Sequence, residues 1–338
     1  MARVLSYAMA INEALHIAMA ADPDVIVLGE DVAGGGGRED QGIVDAWGGP
    51  MGATRGLITA FGAGRVRDTP ISEMGFLGAG VGAAATGLRP VVELMFIDFL
   101  GVALDPLLNQ ASKLRYMFGG KARVPLTVRT NVGGGNRAAA QHSQALYAMT
   151  TAIPGLKTVF PSTPADAKGL LLASIRDDDP VVFCEGKSLM FLEGEVPEGD
   201  YEVPLGKAAI RREGSDVTLV GIGRTVHTAL AAAAALAEDG VQATVIDLRS
   251  LYPRDDEAIL SSLAKTGRLV VVDEAPPHCG IASDVAALCV DRGFDLLDAP
   301  IKLVTAPHTP VPFSPVLEDA YLPTPERVVA AVREQVGL

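Results

Sequence analysis

Short, mostly apolar runs that alternate with stretches of helical spacing recur along the chain and restrict its fold more than any single motif does. Residues 25–28, 91–95, 156–160 and 181–183 are such runs in the first half, and residues 217–220, 243–248, 268–272 and 301–304 follow in the second. An apolar run without polar alternation predicts a strand buried on both faces, as in a parallel sheet covered by helices. Residues 124–128 predict a further strand, with Pro125 near its start. The intervening stretches predict helices. Ser6 caps the first, whose apolar positions include Ile11, Leu15 and Ala18, and Asp22-Pro23 ends it. Residues 75–87 and 105–117 predict two more. Thr163, Pro164 and Asp166 form the start of another, with Thr163 as cap, Pro164 in the first turn and Asp166 closing a reciprocal cap. In the second half the helices fall at 225–236, 255–264, 281–290 and 326–335. The fold class is therefore α/β. At 338 residues the chain exceeds what one core usually covers, so two domains are expected. The polar stretch 193–200, with Pro197 and Gly199, is the expected linker.

Composition narrows the function. With 28 basic and 41 acidic residues the formal charge is −13, which disfavours long-range attraction to nucleic acid or an anionic membrane. No signal-like opening and no apolar run of spanning length is present, which predicts a soluble cytoplasmic protein. Hydrophobic residues make up 49% of the chain, and small ones cluster at 81–87, so a large subunit interface is expected. Cys184, Cys279 and Cys289 have no metal-ligand spacing and read as core thiols.

Three places carry candidate chemistry. Asp68-Thr-Pro-Ile-Ser-Glu73 leads into a glycine- and alanine-rich run ending at Gly87. Glycine lets a neighbour approach the backbone, so Glu73 is expected at the mouth of a close-packed helix, either as an acid-base group or as a local cap. Glu30 follows the first buried strand, at the sheet edge where α/β folds bind ligands; a turn cap or ion pair explains it equally well. Gln141-His142-Ser143 follows Gly133-Gly-Gly-Asn136 and places an imidazole on or beside a loop. His142 there serves either proton transfer or structure, while Ser143 lacks the acid and elbow a nucleophile needs. The glycines at 34–37 do not make a nucleotide-phosphate fingerprint.

The chain resembles beta subunits of thiamine-diphosphate-dependent 2-oxo acid dehydrogenases, within the transketolase-like group. The resemblance rests on Val27-Leu-Gly-Glu-Asp31, Asp68-Thr-Pro-Ile-Ser-Glu73, Gln141-His-Ser143, Pro154-Gly-Leu156, Pro161-Ser-Thr-Pro164, Asp166-Ala-Lys-Gly169, Arg176-Asp-Asp-Asp-Pro180, Ile246-Asp-Leu-Arg249 and Leu317-Glu318. It implies a pyrimidine-binding domain over residues 1–190, a linker over 191–204 and a transketolase carboxy-terminal domain over 205–338. Glu73 matches the catalytic carboxylate that contacts the cofactor's aminopyrimidine and favours its imino form, which then removes the thiazolium proton. Glu30 matches a nearby carboxylate organising cofactor and subunit contacts. Phe99 matches an aromatic packing over the pyrimidine, although its sequence setting alone reads as core. His142 matches the histidine that assists proton transfer or acyl transfer to lipoamide. The stretch around Asp166 resembles a potassium-associated site, with the helix cap as the alternative. No Gly-Asp-Gly motif is present. The resemblance therefore implies that an alpha subunit holds the diphosphate and magnesium, in a heterotetramer of two alpha and two beta chains.

The implied partners further along are a lipoyl acyltransferase and a flavin and NAD dihydrolipoyl dehydrogenase. Asp45-Ala-Trp-Gly-Gly49, Glu93-Leu-Met-Phe-Ile-Asp-Phe99 and Arg115-Tyr-Met-Phe-Gly-Gly-Lys121 look most like acetoin dehydrogenase beta subunits. Pyruvate dehydrogenase beta subunits are the alternative, and a noncatalytic assembly protein the remote one. Asp105-Pro106 and Ile58-Thr-Ala-Phe-Gly62 depart from the commoner family pattern.

Overall fold

The computed structural model describes residues 3–34 and 48–338; Gly35, Gly36, Gly37, Asp45, Ala46 and Trp47, all read above, lie outside them. The chain divides into two compact units that are not contiguous in sequence. The first holds the residues up to 132 with 149–185 and 189–205; the second holds 133–148, 186–188 and 206–338.

In the first unit six strands lie in the order Lys157–Val159, Val181–Gly186, Thr127–Val132, Arg89–Phe96, Val25–Gly29, Val66–Asp68. The pairings of Val25–Gly29 with Arg89–Phe96 and with Val66–Asp68, and of Arg89–Phe96 with Thr127–Val132, are parallel. Strands Thr127–Val132 and Val181–Gly186 are buried at every position, although the first carries Arg129 and Asn131 and the second Glu185. The strand predicted at 124–128 begins instead at Thr127, beyond Pro125, which has no N–H for a ladder. Helices Tyr7–Ala21 and Pro164–Arg176 share one core through Ile11, Ala14, Leu15, Leu170, Leu171 and Ile175. Each Leu or Ile buried this way contributes about 1.5–3 kcal/mol. Their caps form as the sequence indicates. Ser6 Oγ accepts from the Met9 N–H at 3.3 Å, and Thr163 Oγ1 accepts from the Asp166 N–H at 3.2 Å while donating to Asp166 Oδ2 at 2.8 Å.

Four local expectations change. The helix expected at 105–117 already starts with Leu100–Asp105 and passes through a π-helical turn, Pro106–Ala111, before Ser112–Met117. Pro106 lacks the N–H that regular α-helical bonding needs, and the wider turn accommodates it. The segment 191–204 is not free chain. Glu193–Val196 is a strand paired with Arg3–Ser6, and beyond it Lys168 Nζ donates to Pro197 O at 2.9 Å and Tyr201 donates to Ala165 O at 2.8 Å. Polarity marked a loop there, but partners distant in sequence supply its hydrogen bonds. The glycine-rich helix Glu73–Ala85 needs glycine for contacts within the unit chiefly at Gly80, where a Cβ would lie 2.6 Å from Val92 Cγ2; at Gly82 a Cβ meets nothing within 4 Å. Cys184 and Cys289 are buried as expected, whereas Cys279 is exposed.

The second unit's sheet has the order Lys302–Thr305, Leu269–Asp273, Val217–Gly221, Ala243–Asp247, Ala209–Arg212, with the last strand antiparallel. Helices Thr225–Glu238 and Pro325–Val336 cover it through Ala229, Ala232, Leu236, Val328 and Val332. Strand Ala209–Arg212 and helix Pro315–Tyr321 had no clear periodic signal, being short and partly exposed. No helix among the described residues is long and apolar enough to cross a membrane.

Candidate active site

In the first unit the strand Val25–Gly29 delivers Glu30 to its carboxyl end, and Asp31 turns the chain in a left-handed conformation with φ 57°. A short polar side chain tolerates that conformation better than most. The turn is held from several sides: Asp68 Oδ1 accepts from the Ala33 N–H at 2.6 Å, Thr54 Oγ1 donates to Val32 O at 2.8 Å, and the Gly49 N–H donates to Asp31 O at 3.0 Å. Asp68, the first residue of the motif that ends at Glu73, thus anchors the loop next to Glu30. Glu73 is the first residue of its helix, where unpaired backbone N–H groups favour negative charge.

Glu30 and Glu73 are 7% and 9% exposed. They act on one another electrostatically. The pKa of Glu30 is raised, chiefly by burial and then by the charges of Glu73 and Asp31. Glu30 Oε1 is buried without a hydrogen-bond partner among the described residues. Leaving a buried acceptor unsatisfied costs about 1–3 kcal/mol, so Oε1 has room for a further donor. Phe99 closes the 3-10 turn Ile97–Phe99, half-buried and edge-on to Phe96, with ring centroids 5.8 Å apart.

His142 belongs to the second unit, in the loop 133–144. The Gly133 N–H donates to Gln144 O at 3.1 Å and closes that loop, while the His142 N–H donates to Ala139 O at 3.3 Å. Arg137 and Ala139 both hold positive φ, 57° and 61°. Each such residue costs on the order of 1–3 kcal/mol and persists only where surrounding contacts impose it. Glu318 imposes it here. At 0% exposed, it accepts from the Gly135 N–H at 2.8 Å, the Arg137 N–H at 3.1 Å and Arg137 Nη1 at 2.7 Å. Hydrogen bonds to charged groups contribute about 1.5–3 kcal/mol each, enough to offset the strain. Glu274 accepts from the Gly134 N–H, and Tyr147 donates its hydroxyl to Asp273. Burial pushes Glu274 up to about 7 against the lowering pull of Arg224, and pushes Asp273 up to about 6.

Two groups near these sites were not nominated as functional from the sequence. The buried Arg129 guanidinium bridges two strands, donating to Glu185 through Nε at 2.7 Å and Nη2 at 3.1 Å and to Glu93 through Nη1 at 2.7 Å. One cation facing two carboxylates cannot hold both ionised as firmly as one. Burial, tempered by Arg129, raises Glu93 to about 7. The other group is the Glu274 and Glu318 support beneath the His142 loop. Leu317-Glu318 was recognisable as a pattern, but nothing in its spacing indicated which backbone it holds.

Asp166 lies in the first turn behind the Thr163 cap and accepts from the Thr163 hydroxyl on Oδ2. Among the described residues no group of three His, Cys, Asp or Glu side chains is arranged to hold a metal ion.

Comparison with known proteins places these features in a family. The model for the transketolase pyrimidine binding domain matches residues 3–191, and that for the transketolase C-terminal domain matches residues 206–328. The chain belongs to the transketolase-like family of thiamine-diphosphate-dependent dehydrogenases, as a beta subunit. More particularly, it is similar to the acetoin:2,6-dichlorophenolindophenol oxidoreductase subunit beta of Bacillus subtilis (strain 168), 60% identical over 337 residues covering 100% of this chain and 98% of the relative. The pyruvate dehydrogenase E1 component subunit beta of Rhizobium meliloti (strain 1021) is 45% identical over 330 residues, 96% of this chain and 69% of that one. A solved structure described as a split gene transketolase, inactive beta4 tetramer, matches with a TM-score of 0.78 over 99% of both chains at 24% identity, a likeness of fold.

Proposed function

We propose that this chain is the beta subunit of the first component of an acetoin dehydrogenase system, active with an alpha subunit in a heterotetramer of two chains of each kind. The observation that carries the reading is the buried pair Glu30 and Glu73 at one sheet edge, with Glu30 Oε1 lacking a donor among the described residues. The exocyclic amino group of thiamine diphosphate's aminopyrimidine is a donor that fits that need. When bound, the cofactor supplies a nucleophilic thiazolium carbon for a carbonyl substrate.

The chain's own residues then have separate tasks. Glu73 holds a proton or strong hydrogen bond against the ring nitrogen, Glu30 accepts through Oε1, and Phe99 offers an aromatic face for packing. The imidazole of His142 moves a proton or orients the acyl group on its way to a lipoyl acceptor. The diphosphate and its magnesium fall to the alpha subunit. Acetoin is cleaved to acetaldehyde and a two-carbon fragment at the aldehyde oxidation level, which the lipoyl disulfide of the acyltransferase oxidises to an acetyl group as it accepts it and is itself reduced to the dihydrolipoyl form; NAD chemistry belongs to the downstream flavoprotein. The higher identity to the acetoin oxidoreductase subunit than to the pyruvate dehydrogenase subunit supports acetoin over pyruvate.

Copurification with the alpha subunit, followed by assays of thiamine-diphosphate-dependent turnover on acetoin and on pyruvate, tests both levels. Turnover of acetoin is expected. Turnover of pyruvate alone rejects the substrate while keeping the subunit assignment, and turnover of neither by an assembled pair rejects catalysis.

A further inference from the structure

We infer that Glu318 and Glu274 are positioning residues for the reaction, fixing the glycine loop 133–137 and through it the placement of His142. The inference rests on the reading of His142 as an active-site group.

The loop leaves little freedom once its anchors are considered together. Its first residue is bonded to Gln144 O at 3.1 Å, so the segment carrying His142 is closed at both ends. Its glycine arm lies on two carboxylates. Glu274 accepts the Gly134 N–H, and Glu318 accepts the Gly135 N–H at 2.8 Å. A Cβ added at Gly133, where φ is +89°, would stand 2.4 Å from Glu274 Oε1, so the backbone rests directly on that side chain. Glu318 also takes the Arg137 N–H at 3.1 Å and Arg137 Nη1 at 2.7 Å, and the same guanidinium reaches Pro315 O at 3.1 Å and Asp319 Oδ1 at 2.7 Å. Arg137 and Ala139 are the loop's left-handed residues, and Ala139 O receives the His142 N–H. Glu318 therefore fixes the backbone at Gly135 and Arg137, two residues before Ala139, whose carbonyl receives the His142 N–H. Placement errors near 1 Å in a reacting group are enough to suppress a rate strongly.

The two carboxylates differ in what a glutamine would do. Both oxygens of Glu318 accept, and Oε2 faces a guanidinium and an N–H, so the amide of Glu318→Gln must turn a donor toward one of these donors. Glu274→Gln keeps an acceptor for the Gly134 N–H.

The test is a double-mutant cycle in the assembled complex with its alpha subunit, read as single-turnover acyl transfer to a lipoyl acceptor. Glu318→Gln is expected to slow transfer by about 100-fold in the native background. In a His142→Ala background it is expected to change transfer by no more than about twofold, because the group it positions is gone. Glu274→Ala should behave like Glu318→Gln, and Glu274→Gln should recover most of that loss. Equal losses in both backgrounds, reporting general loosening of the unit, overturn the proposal. If Glu318→Gln does not assemble, the two Glu274 variants complete the same cycle. The single His142→Ala variant tests the underlying reading separately: unchanged transfer there rejects the role of His142, whereas a loss that simply adds to that of the glutamate variants rejects only the positioning.

Discussion

Glu30 in the first unit and Glu318 in the second are both buried carboxylates, yet they stand at opposite extremes of hydrogen-bond supply. Glu30 has an oxygen with no donor among the described residues and like charges nearby on Glu73 and Asp31. Glu318 has donors on both oxygens, all from the loop it supports. Burial alone therefore does not distinguish the two carboxylates; the account of donors does. A saturated acceptor is an anchor, and one with an oxygen to spare has room for a further donor.

The largest effect expected on this contrast comes from Glu73→Gln, which keeps the size of the side chain and removes its acid. Exchange of the thiazolium proton in the assembled, cofactor-loaded complex should slow by roughly 10²–10⁴-fold, the range of general acid-base contributions. Unchanged exchange would remove Glu73 from cofactor activation. Replacing the two contrasted carboxylates by glutamine should then separate binding from stability. Glu30→Gln relieves repulsion, so the thermal stability of the complex without cofactor should not fall, while affinity for thiamine diphosphate drops by about tenfold, or 1.4 kcal/mol. Glu318→Gln should instead lower the melting temperature, because its amide must point a donor either at the Arg137 guanidinium and N–H or at the Gly135 N–H. Calorimetry on both variants decides the matter, and equal destabilisation by the two breaks the contrast.

The smallest expected effect is a dependence on pH. Glu274 has its pKa raised by burial from 4.5 to about 7, so the fold binds its proton more tightly than the unfolded chain does. Its contribution to stability is complete below about pH 4.5 and is lost as the pH rises through about 7. Asp273, raised to about 6, acts in the same direction. The melting temperature should therefore decline across this window, and Glu274→Gln, which does not titrate, should flatten the decline by about 2–4 °C. An identical slope in the variant assigns the pH dependence to other groups.

Much of the scaffold was readable along the chain because the information is local. Apolar runs such as 217–220, the Ser6 and Thr163 caps, and the stop at Asp22-Pro23 each need only neighbours in sequence. Local signals failed where a distant partner decides the outcome. Residues 193–196 look like loop until Arg3–Ser6 pairs with them, and the helix near Pro106 widens into a π turn whose onset at Leu100 no cap announced.

The candidate site divides along the same line. Residue types in order were enough to nominate Glu30, Glu73 and His142, with Phe99 added only by the resemblance, and enough to indicate the family that the comparisons then showed. Which carboxylates lack donors, and which instead hold the His142 loop, depends on contacts such as Gly135 to Glu318 that join residues 183 positions apart. One-dimensional order records each residue's chemistry and its neighbours' preferences; only the closed tertiary structure sets how far each carboxylate is desolvated and which donors remain within reach of it.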